Sequence, residues 1–164
     1  MSNCEEFERL RAINAIALTK ARYFRAVDTK DWELLREVFA PDFVGDFRGA
    51  TTDPLTGFNP VPDATNEVLY GADATIAAFV EAGRHFQSVH HGHMPEIRIE
   101  GPENASGVWA LFDMLRFHEG PVSEMIGYGH YHETYRRIDG SWRITSSRLT
   151  RLRVECTMRA SAHS

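Results

Sequence analysis

The stretch Ser123–Val154, SEMIGYGHYHETYRRIDGSWRITSSRLTRLRV, reads as two strand-like segments, Ser123–Ile138 and Trp142–Val154, joined through IDGS. Asp139-Gly140 is the residue pair that a two-residue hairpin turn prefers, because both central positions take a positive φ. Upstream, Gly107–Phe117 (GVWALFDMLRF) and Glu96–Glu100 are also strand-like, and the turn sequences HEG and GPEN bound them. The second half of the chain is therefore expected to be an antiparallel meander.

The first half has a different period. Phe7, Leu10, Ile13, Ile16, Ala17, Phe24 and Val27 recur at three- and four-residue steps, which predicts an amphipathic helix of about six turns. DTKDW breaks it, and Thr29 or Asp31 can cap a short second helix carrying Trp32, Leu35, Val38 and Phe39, ended by Pro41. Asp42–Phe47 reads as a strand. The following RGATTDPLTGFNPVPDATNEVLY has no period, and loops this long inside a compact domain tend to be lids, binding loops or disordered. Residues 71–84 suit a third helix. Helices first and a meander second imply an α+β fold with helices packed on one face of a curved sheet, in one domain spanning 1–164.

Composition sets outer bounds on function. With 43% hydrophobic and 25% charged residues, the chain has the balance of a globular protein, and no apolar run approaches a membrane span. A net charge of -5 argues against a nucleic-acid or anionic-membrane partner. The arginines of RLTRLRVECTMR are expected on a solvated strand face. Two cysteines, Cys4 and Cys156, are too few for a disulfide scaffold, and the acidic MSNCEEFERL does not resemble an export signal, so a cytoplasmic setting is expected.

Several residues carry chemistry. Strict alternation puts Asp113 on the same strand face as Trp109, Leu111, Leu115 and Phe117, where a carboxylate is either paired, for instance with an arginine of the sheet, or lines a cavity. Asp28, at the end of the first helix, is a cap, a turn former or a catalytic acid. Tyr23 is by default a core aromatic with its hydroxyl reaching a partner. The cluster SVHHGHMPE (Ser88–Glu96) holds His90, His91 and His93, and YGHYHE holds His130 and His132. Two neighbouring strands presenting such pairs can build a metal site. Alternatively, one histidine paired with a carboxylate is a general base, since imidazole accepts a proton near neutral pH. The residues alone leave the choice of histidine open.

Three segments together, RYFRAVDTKDWELLREVFAPDF, SVHHGHMPEIRIEGPENASGVWALFDMLRF and HETYRRIDGSWRITSSRLTRLR, resemble the SnoaL-like branch of the nuclear transport factor 2-like superfamily, over about residues 8–155. Within it the pattern is most similar to bile-acid dehydratase, and more distantly to scytalone dehydratase and hexachlorocyclohexane dehydrochlorinase. The resemblance implies a cone-shaped α+β barrel with a deep apolar pocket and lyase chemistry that uses no metal and no cofactor. It places the Asp-His dyad on Asp28 and His90, the first-helix tyrosine on Tyr23, and the substrate-positioning carboxylate and arginine on Asp113 and Arg151. A second pocket tyrosine of both dehydratases is Phe47 here, and the second catalytic histidine of scytalone dehydratase is Leu115, which speaks against the scytalone reaction. Unbroken alternation puts Arg151 opposite Trp142 and Ile144, so it reaches the pocket only across a bulge. His91, His93, His130 and His132 receive no catalytic role and are expected to be structural or pocket-lining.

The expected activity is general-base proton abstraction next to a carbonyl, as in a dehydratase or isomerase, with His90 as base, Asp28 orienting it and Tyr23 as hydrogen-bond donor. The substrate is expected to be an apolar polycyclic, steroid-like or aromatic molecule against Phe47, Phe58 and Trp109, with Tyr70 as a further lid residue. Competing readings are a non-catalytic ligand-binding protein, the small subunit of a ring-hydroxylating dioxygenase, or a histidine-ligated metal hydrolase. Because Val108, Phe112 and Met114 make the second face of their strand apolar too, a homo-oligomer is expected, and the resemblance puts a trimer before a dimer.

Overall fold

The computed structural model describes residues 2–61 and 67–160. Helix α1 spans Asn3–Thr29, α2 Trp32–Val38 and α3 Ala72–Ala82, while strands β1 to β6 span Phe39–Asp46, Val68–Tyr70, Phe86–Ile99, Asn104–Phe117, Val122–Ile138 and Ser141–Met158. The strands form one sheet in the order β2-β1-β6-β5-β4-β3. All pairings are antiparallel except β1 with β6. The Asp139-Gly140 turn forms as expected, with both residues at positive φ and Ile138 paired with Ser141.

Helix α1 begins at Asn3, four residues before the first expected apolar position, Phe7, because Ser2 and Glu5 close a capping box there. Its buried stripe, Ile16, Thr19, Lys20, Tyr23 and Ala26, lies against the sheet. Asp31, rather than Thr29, caps α2 by accepting from Leu34 N–H at 3.0 Å. This helix stops at Val38, ahead of Pro41, since the chain has already turned extended at Phe39 to enter β1. The aperiodic loop also contains β2, whose three residues pair with Val44–Asp46 of β1. The loop's residues 62–66 lie outside the described residues.

Strand β3 begins ten residues before Glu96, so the histidine cluster lies within a strand. Proline is tolerated there because β3 is an edge strand and the register shifts between His93 and Glu96, with Met94 at positive φ. The bulge lets Ser88, His90 and Gly92 face inward before it and Ile97 and Ile99 after it. Phe24 of α1 packs so closely on Gly92 that no side chain fits at that position.

The core lies between α1 to α3 and the inner face of the sheet. Ile16, Leu35, Phe39, Phe43, Tyr135 and Ile144 are among its fully enclosed members. Burial of each such side chain contributes about 1.5–3 kcal/mol.

Candidate active site

Asp28 is the penultimate residue of α1, where the helix passes over β3. Its Oδ1 lies 2.6 Å from His90 Nδ1 and accepts from Ser88 Oγ at 2.8 Å, while its Oδ2 accepts from the His90 backbone N–H at 2.8 Å. Both carboxylate oxygens are therefore spent on β3, and none caps the helix. The C-cap is Lys30, in the left-handed region. A carboxylate at Nδ1 fixes the proton there and leaves the Nε2 lone pair free to accept. Phe24 stacks on the imidazole, with ring centroids 5.9 Å apart and planes 15° apart.

Directly across β3 and β4, His90 is paired with Asp113. Asp113 is 3% exposed and takes both ends of the Arg151 guanidinium, Oδ1 at 2.6 Å and Oδ2 at 2.8 Å, so the arginine partner and the inward position coincide. Arg151 faces inward because β6 carries an extra residue, Thr145, between Ile144, opposite Tyr135, and Ser146, opposite Thr134. That bulge reverses the alternation, so Trp142 and Ile144 share the inner face with Ser147, Leu149 and Arg151. The solvated-face expectation holds for Arg153 but fails for Arg151, whose charge is matched by Asp113 and not by water. The third donor of Arg151, Nε, binds the Ala50 carbonyl at 2.6 Å and ties the loop after β1 to the pair.

Tyr23 is 2% exposed, within hydrogen-bonding reach of the Tyr131 hydroxyl, and burial pushes its phenol well above the usual range. The same loop is fastened again by Asp53. Its carboxylate accepts from Leu55 and Thr56 within the loop and from Val154 N–H of β6 at 3.0 Å, and these hydrogen bonds, the one from Val154 foremost, hold it at about 2.

The apolar residues divide. Phe47 packs on Phe79 of α3 at 5.3 Å, and Trp109 is buried with its Nε1 donating to Tyr135 Oη at 2.8 Å. Phe58 and Tyr70 are largely exposed, 49% and 71%, on the loop and on edge strand β2, and the structure does not seat them as a lid over the dyad. His91, His93, His130 and His132 point to the outer face, away from His90, so they do not line its surroundings. The metal reading required neighbouring strands, but β4 intervenes between β3 and β5, and no group of three or more metal-ligating side chains occurs among the described residues. His132 instead meets Thr150 Oγ1 at 3.0 Å, and burial, with Arg148 and His130 nearby, holds it below its usual range. A cavity of about 690 Å³ also opens on that outer face, lined in part by Arg98, Val108, His132 and Arg148.

Residues 8–148 match the SnoaL-like domain family. The chain belongs to the SnoaL-like family. Among curated proteins it is similar to Probable cyclase FGR4 of Gibberella zeae, 25% identical over 138 residues, which cover 81% of this chain and 86% of the relative. Among solved structures it resembles a candidate scytalone dehydratase from Novosphingobium aromaticivorans, with TM-score 0.73 and 20% identity over 96% of this chain and 95% of the other. It also resembles a type 2 hexachlorocyclohexane dehydrochlorinase, LinA, with TM-score 0.72 and 15% identity over 97% and 96% of the two chains. The arrangement is accordingly the cone-shaped α+β fold of these neighbours, with helices on a curved, mostly antiparallel sheet.

Two functional candidates of this SnoaL-like protein escape the sequence reading. Lys20 occupies the seam of the α1 stripe between Ile16 and Phe24, and Glu133 falls on the inward alternation of YHETY between Tyr131 and Tyr135. The two are fully buried and joined at 2.6 Å. Charged residues at apolar phase on both elements were the available signal, but their 113-residue separation hid the pairing.

Proposed function

We propose that this protein is a lyase or isomerase that removes a proton next to a carbonyl, or at a vinylogous position, of an apolar small molecule. The observation that carries the reading is the Asp28–His90 contact, in which three hydrogen bonds hold a carboxylate against Nδ1 and leave Nε2 free. The substrate proton moves to Nε2, and Asp28 supports the imidazolium that forms. The electron pair passes into an enolate, whose oxygen takes a hydrogen bond from a tyrosine hydroxyl at the Tyr23 position. In a dehydration the imidazolium then returns the proton to a departing hydroxyl, and in an isomerisation to another carbon. Asp113 and Arg151 satisfy one another and present polar edges that orient the substrate, with Trp109 and Phe47 on the apolar side.

Membership of the SnoaL-like family and the names of the similar proteins, a dehydratase, a dehydrochlorinase and a cyclase, support chemistry of this class. Two free thiols, at Cys4 and Cys156, fit a reducing, cytoplasmic setting. Screening hydroxy-ketones of steroid, polyketide and terpenoid type for loss of water by mass spectrometry tests the reading. Turnover abolished in His90→Ala supports it, whereas turnover that survives His90→Ala sinks it.

We further propose that the chain assembles as a homo-oligomer through the outer sheet face, where Val108, Phe112, Met114, Ile126 and Tyr128 are only partly covered. A face of that character on long strands is characteristic of subunit contact.

A further inference from the structure

Lys20 is 0% exposed in the centre of the buried stripe of α1. Its ammonium donates to Glu133 Oε1 at 2.6 Å, and Glu133 also accepts from Ser147 Oγ at 3.0 Å and from the Tyr135 hydroxyl. Tyr135 in turn accepts from Trp109 Nε1. The carboxylate is thus satisfied on both oxygens, and the remaining sides of the ammonium face aromatic rings. The Tyr131 centroid lies 3.6 Å away, that of Tyr23 4.1 Å and that of Phe24 4.6 Å. The pair forms a dipole whose positive end is set against two phenols.

Stability does not explain this arrangement. A buried ion pair is on average no better than well-packed apolar residues of the same volume. Burial also drags the Lys20 ammonium down to about 8 even though Glu133 works the other way.

Of the two phenols, Tyr131 lies nearer the ammonium, 3.6 Å against 4.1 Å, and the rings meet edge to face with centroids 5.9 Å apart. Burial raises both phenols, and at Tyr131 the Asp113 carboxylate adds to it while the Arg151 charge opposes it. Tyr131 also lies on the site: its ring is 6.0 Å from that of Phe24, whose ring in turn stacks on His90. Gly129 and Gly127, next along the inner face of β5, carry no side chain to screen it from Asp113 and Arg151.

We propose that Tyr131 is a catalytic hydroxyl of this site, donating to the substrate oxyanion, and that Lys20, held by Glu133, is the positioning residue that makes it a strong donor. This rests on the lyase or isomerase reading above. As Tyr131 shares its proton with an oxyanion, negative charge spreads into its ring, and the ammonium against that ring stabilises it without reorganising.

A non-reacting probe pair tests this on the full chain: 4-nitrophenolate, which presents an oxyanion, and nitrobenzene, its uncharged counterpart. The readout is the ratio of their affinities by calorimetry, which a merely structural change does not move selectively. Wild type is expected to prefer the phenolate. Tyr131→Phe and the charge-neutral double variant Lys20→Met/Glu133→Gln are each expected to reduce that preference on the order of tenfold. The double variant avoids the unpaired buried carboxylate that Lys20→Met alone would leave, and circular dichroism verifies its fold. A ratio unchanged in either variant, or no preference in wild type, overturns the proposal. Because the probes do not react, failure of every hydroxy-ketone to turn over would sink the lyase reading and leave this ratio standing.

Discussion

Gly127 faces the Arg151 guanidinium and the Asp113 carboxylate so closely that a Cβ at that position has no room. Glycine here is a packing requirement: the fork between Arg151 and Asp113 fills the volume a side chain on β5 would take. Gly127→Ala should displace the fork and cost about 1–3 kcal/mol, the range for overpacking a fitted interior. Urea denaturation measures it, and an unchanged midpoint would show that the pair can shift without loss.

His90→Ala should remove most turnover, about a hundred- to ten-thousand-fold, on whichever hydroxy-ketone the screen identifies. Asp28→Asn should also lose a large part, because an amide NH₂ would face either the His90 backbone N–H or the ring N–H that Asp28 now accepts. His91→Ala and His93→Ala are controls, since both side chains are exposed on the outer face. Steady-state rates of the four variants decide it. Loss of activity in the controls with activity retained in His90→Ala would move the chemistry to the other side of the sheet.

Acid should release the loop after β1. The Asp53 carboxyl is held at about 2, below the ordinary aspartate range, by accepting the Val154 N–H and the N–H and hydroxyl of Thr56. A depressed carboxylate stabilises fully above its unfolded value, and the contribution is lost as pH falls from about 4 through about 2. Hydrogen exchange at Val154 and Thr56 should therefore accelerate across that window. In Asp53→Asn, where an NH₂ group opposes one of these donors, it should be fast at every pH. Exchange that is slow and flat below pH 4 in wild type contradicts the latch.

On the outer face Phe112 meets Tyr128 at 5.4 Å and His91 at 6.2 Å, which makes it the natural centre of the proposed subunit contact. Light scattering at micromolar concentration should report an oligomer for wild type and a smaller species for Phe112→Asp, since a carboxylate buried in an apolar interface is uncompensated. A monomeric wild type refutes the assembly.

Much of this molecule was legible in the chain. The period of α1 from Ile16 onward, though not at Phe7 and Leu10, which stay exposed, the alternation along β4 that turns Asp113 inward with Trp109, and the Asp139-Gly140 hairpin rest on local physics, because side-chain direction repeats every 3.6 residues in a helix and every two in a strand. The same rules misplaced what depended on neighbours. Strand β3 begins ten residues ahead of the expected Glu96, because an edge strand with a bulge tolerates Pro95. Arg151 turns inward only through the bulge that unbroken alternation makes a condition, and the extra residue at Thr145 that supplies it leaves no mark in a strand where both faces carry apolar and polar groups.

The sequence by itself determined the class of elements, their order and the two residues, Asp28 and His90, that the resemblance singles out. Only the tertiary structure decided that Lys20 finds Glu133, that Arg151 crosses to Asp113, and that the remaining histidines face away. The reason is that a charge enters a core only with its partner in place. Those partners, from α1 to β5 and from β6 to β4, meet across strand registers and bulges that no local period encodes.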